Sequence, residues 1–152
     1  MKKIIYLVLL CLITSLAVQA QEKKSEWNGC DRYDFTFKDR QATVVVPKKA
    51  AKGTPWIWRP AFFDAFPSVD KALLEKGFHI VYYDVTHLYG SPRAVSLGTE
   101  FYENMTDLYN LSEKVTLEGF SRGGLFVFNW AAQNTEKVAC IYVDAPVCDV
   151  FS

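Results

Sequence analysis

Val115-Thr116-Leu117-Glu118-Gly119-Phe120-Ser121-Arg122-Gly123-Gly124 is the stretch on which the fold turns. Its first four residues read as a short apolar strand, and Leu125 to Gln133 read as a helix of aromatic and small residues. Between them, Gly119-Phe120-Ser121-Arg122-Gly123 matches G-x-S-x-G in the strand–turn–helix context that gives the pattern chemical meaning. A serine at so sharp a turn must take a strained backbone conformation, and the flanking glycines leave room for neighbouring backbone to approach. Ser121 Oγ is thereby thrust out above the sheet. A helix starting at Arg122 also turns its free N–H groups and positive dipole end toward that point, where an oxyanion would form. The plainer alternative is a tight βα turn that happens to carry Ser between glycines.

The flanking segments fit the same architecture. Tyr33 to Phe37 and Ala42 to Val46 alternate around a charged Lys38-Asp39-Arg40-Gln41 turn and predict a β-hairpin. Trp56-Ile57-Trp58 is a short strand that Pro60 stops. From Ser68 the period changes: Val69, Ala72, Leu73 and Lys76 share a helical face, Ser68 is the candidate N-cap, and Gly77 sits where a C-cap glycine belongs. Phe78 to Val85 is a strand whose continuous apolar middle suits a sheet covered on both faces. His87 to Leu97 reads as a loop, and Phe101, Met105 and Leu108 predict an amphipathic helix to about Tyr109. Val138 to Val143 is a last strand, broken by Asp144-Ala145-Pro146. Strands alternating with helices imply a mostly parallel sheet with helices on both faces.

At the N-terminus, Lys2-Lys3 followed by the apolar run Ile4 to Val18 and by Val18-Gln19-Ala20 reads as an export signal over 1–20, cleaved before Gln21. A membrane anchor is the competing reading, but the run is shorter than the roughly 20 apolar residues that span a bilayer. Residues 21–30 read as a polar leader, and 31–152 as one domain, periplasmic or extracellular. Seventeen basic residues meet seventeen acidic ones in the 152-residue chain, and losing Lys2 and Lys3 leaves a mature charge near −2. Such a surface has no basic excess for a nucleic acid. Removing the signal takes Cys11 and leaves Cys30, Cys140 and Cys148. Cys140 and Cys148 can pair, or remain buried free thiols. No Cys/His spacing suits a metal, and no cofactor is expected.

On the residues from Tyr33 to Val150, the hairpin, the alternating strands and helices and the Gly119–Gly123 motif, the chain resembles the α/β-hydrolase superfamily, a three-layer α/β sandwich. The resemblance implies an exported serine hydrolase acting on carboxylic esters, among them carbohydrate acyl esters. Ser121 would be the nucleophile and Arg122 N–H one oxyanion donor. The second donor would come from the loop Arg59-Pro60-Ala61-Phe62; Pro60 has no N–H, which leaves Ala61 or Phe62. The Arg122 side chain could hold a substrate carboxylate, or be a solvated or ion-paired helix-start arginine.

The base is the difficulty. Serine needs a histidine to take its proton and an acid to orient that histidine, and the family order is Ser, acid, His. No histidine follows Ser121. His79 reads as a strand-start side chain. His87, just past a strand's C-terminal end, is the candidate replacement base or a residue that lines the pocket. Asp144, closing the last strand, is the candidate acid, with Asp149 as a spare and Asp84 weaker; the alternative for Asp144 is a turn cap. Trp56, Trp58, Phe62, Phe63 and Phe66 are expected near the oxyanion region and Tyr82, Tyr83 and Tyr89 near the next strand end, mostly as core, with a few at the rim able to stack on a sugar ring. The missing base implies the N-terminal part of a longer enzyme, its C-terminal strands absent, or an inactive binding protein on the same fold. Oligomeric state is left open.

Overall fold

The computed structural model describes residues 22–149. The expected signal at 1–20 and the end of the chain from Val150 lie outside the described residues. The chain runs β1 (Lys23–Trp27), β2 (Cys30–Phe37), β3 (Arg40–Val46), β4 (Trp56–Arg59), α1 (Ser68–Glu75), β5 (His79–Tyr83), α2 (Pro92–Tyr109), β6 (Val115–Phe120), α3 (Gly123–Gln133) and β7 (Val138–Asp144), with short 3₁₀ turns at Thr86–Leu88 and Thr135–Lys137. The strands form one sheet in the order β1-β2-β3-β5-β4-β6-β7. β1, β2, β3 and β5 pair antiparallel, and β5, β4, β6 and β7 pair parallel. Because β5 and β6 flank β4 on opposite sides, the chain reverses its winding at β4. The crevice at the C-terminal ends of these strands is where such a sheet binds ligands.

Strand alternation divides the interior into two layers. Val45, Ile57 and Ile80 face α1, where they meet Leu74 and Trp27. Val44, Trp56, Trp58, Val81, Tyr83 and Leu117 face α2 and α3. On that side Trp58 lies edge-on to Phe126 and Trp130, each 5.2 Å away between ring centres, and Tyr83 stacks on Phe101 at 4.3 Å. Gly98 of α2 is what lets α3 approach: a Cβ there would stand 2.6 Å from Phe126 Cζ.

Several expectations need correction. The polar leader contains a strand, β1, which pairs with β2 from Lys23↔Asp34 to Trp27↔Cys30; its residues are exposed up to Trp27, so no apolar period announces it. The hairpin turn is two residues, not four: Lys38 and Asp39 both have positive φ (48° and 61°), as a tight hairpin requires, and Arg40 and Gln41 belong to β3. Ser68 is the first helical residue and Pro67 the N-cap, with no side-chain cap bond. The inward face of α1 is Asp70 and Leu74, flanked by Val69 and Leu73; Ala72 and Lys76 are exposed. Gly77 does follow the helix as expected, at φ 87°, with its N–H donating to Leu74 O and Phe78 N–H to Leu73 O. The 87–97 loop is shorter than expected, because Ser91 caps Ala94 N–H and Pro92 opens α2. α3 begins at Gly123 with Arg122 as its N-cap, two residues before the expected Leu125. Cys30 is a buried free thiol, whereas Cys140 and Cys148 are free and exposed.

Candidate active site

β6 is buried along most of its length and delivers the chain to Ser121, whose φ is +50°. That left-handed conformation is costly for a residue with a Cβ, and the surroundings hold it in place. Ser121 N–H donates to Asp144 O at 3.1 Å, and Ser121 O accepts from Gly124 N–H at 3.0 Å and Val147 N–H at 2.8 Å. The glycines do unequal work. A Cβ on Gly124 would lie 2.6 Å from Pro146 Cβ, and one on Gly119 3.0 Å from Val143 Cγ1, while Gly123 would meet Ala61 Cβ and Pro60 Cγ at an ordinary 3.4 Å.

The last pair of contacts brings the loop after β4 against the elbow. Ala61 is buried there and Phe62 is half-buried. Among the described residues, the backbone hydrogen bonds of the loops and turns leave the N–H groups of Ala61, Phe62 and Arg122 unused. Three residues of this loop other than glycine carry positive φ, namely Phe62 (55°), Asp64 (66°) and Phe66 (51°). Phe62 and Phe66 pack their rings on Phe120 at 5.7 and 5.5 Å, and Phe66 is otherwise exposed.

Beside the elbow opens a cavity of about 510 Å³ walled by Phe62, Tyr82, Asp84, His87 and both Arg32 and Arg122. Ser121 and Asp144 stand outside that wall. The Arg122 guanidinium lies over two aromatic rings, 5.4 Å from Phe62 and 5.9 Å from Tyr89, so aromatic faces hold the charge at the mouth. His87 is exposed in the 3₁₀ turn after β5. Asp84 is occupied locally: its carboxylate accepts from Thr86 N–H at 3.0 Å, and together with burial it raises the Tyr82 phenol to about 12. His79 is buried at the opposite end of β5, its pKa lowered by burial, which suits its expected structural role. Asp144 ends β7 opposite Phe120 and reaches Ser121 through its backbone carbonyl. Trp56, Trp58 and Tyr83 prove to be core, packed with residues of α2 and α3.

One group of charged residues was absent from the sequence reading. Arg59, at the end of β4, lies among Asp70 of α1 and Glu118 of β6, and all three side chains are at least 95% shielded. Its Nη1 donates to Asp70 Oδ2, its Nη2 donates to Ala65 O at 2.9 Å, and Glu118 Oε1 is 3.3 Å from Nη2. Burial, reinforced by the Asp70 charge, pushes Glu118 up to about 8 against the pull of Arg59. Asp70 is raised too, burial outweighing its guanidinium partner. With both carboxyls raised beside a single guanidinium, the pair holds a proton more readily than free acids do, and Asp70 Oδ1 and Glu118 Oε2 are buried without a hydrogen-bond partner among the described residues. One proton on the pair would leave the cluster neutral overall, which makes its burial tolerable. The signal was present in sequence: Arg59 and Glu118 are charges inside strands that must be covered on both faces.

The sequence profile of the alpha/beta hydrolase fold matches residues 53–152. The chain belongs to the α/β-hydrolase family. Its strand order, β4 reversal and elbow at Ser121 are that fold, a three-layer sandwich with an antiparallel N-terminal edge. No curated protein matches the sequence. Three solved structures illustrate the fold likeness. Francisella virulence factor BioJ is 19% identical with a TM-score of 0.56, over 99% of this chain and 52% of that one. Acetyl xylan esterase 1 from Thermoanaerobacterium is 18% identical with a TM-score of 0.56, over 84% and 52%. Candida antarctica lipase A in its closed state is 16% identical with a TM-score of 0.52, over 81% and 40%. The chain thus spans about half, or less, of the length of these three proteins.

Proposed function

We propose that this α/β-hydrolase chain is exported by the signal at 1–20 and carries the nucleophile and oxyanion hole of a serine hydrolase of carboxylic esters. The observation that carries the reading is Ser121 at φ +50° between a buried strand and a helix N-terminus. In the proposed step, Ser121 Oγ forms a bond to the ester carbonyl carbon as its proton passes to a base. The carbonyl oxygen becomes an oxyanion facing Arg122 N–H and the N–H of Ala61 or Phe62. The alcohol then leaves with a proton, and water releases the acyl group from Ser121. Asp144, with Asp149 behind it, is the acid nearest in chain order, and His87 is the histidine on the cavity wall. The Arg122 side chain favours substrates with a carboxylate near the scissile bond. The exposed Phe66 ring, and the likeness to an acetyl xylan esterase, support carbohydrate acyl esters as one class.

A second reading, a binding protein on this fold without turnover, draws on one observation: no histidine follows Ser121. Both are tested by exposing the chain, and any longer product of the same reading frame, to a fluorophosphonate probe and a short-chain chromogenic ester. The hydrolase reading expects labelling at Ser121 that Ser121→Ala removes. Loss of turnover in His87→Ala would make His87 the base. Absence of both labelling and turnover in every form sinks the hydrolase in favour of the binding protein.

A further inference from the structure

None of Arg59, Asp70 and Glu118 lines the cavity, yet the cluster joins the loop carrying Ala61 and Phe62 to the strand leading to Ser121, and anchors both on α1. Arg59 closes β4 and is itself the root of the loop carrying Ala61 and Phe62. Its Nη2 turns back to grip that loop at Ala65 O, 2.9 Å away. The same nitrogen lies 3.3 Å from Glu118 Oε1, three residues before Ser121 on β6. Nη1 is anchored on Asp70 of α1. The gripped loop has reason to need holding, because Phe62, Asp64 and Phe66 all occupy left-handed backbone without being glycine. A second tie comes from β1, where Trp27 Nε1 donates to Asp64 Oδ1 at 3.1 Å. A guanidinium is a rigid planar fork, so fixing two of its arms fixes the third.

We propose that Arg59 is a positioning residue that locks the 60–66 loop onto the strand leading to Ser121, setting the distance from the Ala61 and Phe62 N–H groups to the Ser121 hydroxyl. Its catalytic half rests on the reading of Ser121 as nucleophile; its structural half stands alone. A lysine would keep the charge but lose the fork, and a methionine would keep only the apolar stem. Glu118→Gln retains an oxygen toward Nη2.

The test compares the full chain with Arg59→Met, Arg59→Lys and Glu118→Gln at pH 7. Hydrogen–deuterium exchange is followed over 59–67 against α2 and α3, and fluorophosphonate labelling is split into a limiting rate and a half-saturating concentration. In Arg59→Met the loop amides should exchange roughly tenfold faster while α2 and α3 stay protected. The limiting labelling rate should fall about 10- to 100-fold with the half-saturating concentration nearly unchanged. Arg59→Lys should fall between, and Glu118→Gln should stay close to the parent. Loop exchange in Arg59→Met equal to that of the parent overturns the proposal whatever the labelling shows. Uniform loss of protection in both Arg59 variants also overturns it, since Arg59 would then be a general stabiliser. If the parent chain does not label, the nucleophile reading and the catalytic half fall together, and the exchange measurement still decides whether Arg59 holds the loop.

Discussion

Ser121 is asked to do two incompatible things: carry a side chain and sit at φ +50°. Strain of this kind costs on the order of 1–3 kcal/mol, whereas a glycine there would lose about 0.5–1 kcal/mol through its freer unfolded chain. Ser121→Gly should therefore raise stability by about 1 kcal/mol, read from the urea midpoint, while abolishing probe labelling; a destabilised variant would show that the turn is relaxed as it stands. Next to it, Arg122 contributes an N–H that no substitution short of proline removes, so its side chain can be tested separately. Arg122→Ala should raise KM about tenfold or more for an ester with a nearby carboxylate, the scale of a charge-assisted hydrogen bond, and leave a neutral ester within about twofold. Equal effects on both esters would count against substrate recognition by the guanidinium. Glu118 makes a prediction in pH. Its carboxyl is held at about 8 when folded, chiefly by burial, against an ordinary value of 4.5. The proton is bound more tightly in the folded state, so this contribution to stability is fully present below about pH 4.5 and lost as pH rises to about 8, at up to about 1.4 kcal/mol per pH unit. Arg59, Asp70 and Asp144 are the charges that face it. Glu118→Gln has no proton to lose. The two proteins should have similar urea midpoints near pH 5, with the variant higher at pH 8.5; His79 titrates alike in both and drops out of the difference. Parallel stability curves would mean that Glu118 is ionised throughout.

At the scale of elements, the contact between α2 and α3 depends on Gly98. Alanine is the better helix former by about 1 kcal/mol, but its Cβ would meet the Phe126 ring at 2.6 and 2.8 Å, and that ring is boxed in by Trp58. Overpacking of this kind costs about 1–3 kcal/mol, so Gly98→Ala should lower the thermal midpoint despite the propensity gain; an unchanged or higher midpoint would mean the helices separate freely. The apolar strands and the turn at Ser121 were legible in sequence because their signals are local: a continuous apolar run, a glycine on each side, a change of period. β1 was not legible, since an edge strand exposed on both sides has no apolar alternation to read. The inward face of α1 was misread for a related reason. Asp70 looks like a solvent residue until Arg59, eleven positions earlier, is known to lie beneath it. The same holds for the site: Ser121, Arg122 and the 59–62 loop could be named from the motif and the family resemblance, whereas the Arg59 clamp depends on three segments that only tertiary structure brings together.

At the scale of the whole molecule, the sheet of the described residues has two edges of opposite character. β1 presents Lys23, Lys24 and Glu26, all exposed, and charges of this sort discourage another strand from pairing. β7 presents Ala139-Cys140-Ile141-Tyr142, exposed and apolar, with Ile141 at 39% and Tyr142 at 37% of full exposure. Paired with β6 on one side, β7 keeps its other row of backbone groups unpaired among the described residues. A mature charge near −2 adds little general repulsion between copies. The mature chain from Gln21 should therefore self-associate through β7 as its concentration rises, and light scattering should show mass increasing through the micromolar range. Ile141→Lys combined with Tyr142→Lys should return it to a monomer, because two charges on the edge reproduce what β1 already has, while Lys24→Thr on the far edge should leave association through β7 intact. A wild-type chain that stays monomeric at every concentration, or a double variant that associates as strongly as wild type, would show that the β7 edge is not the adhesive one.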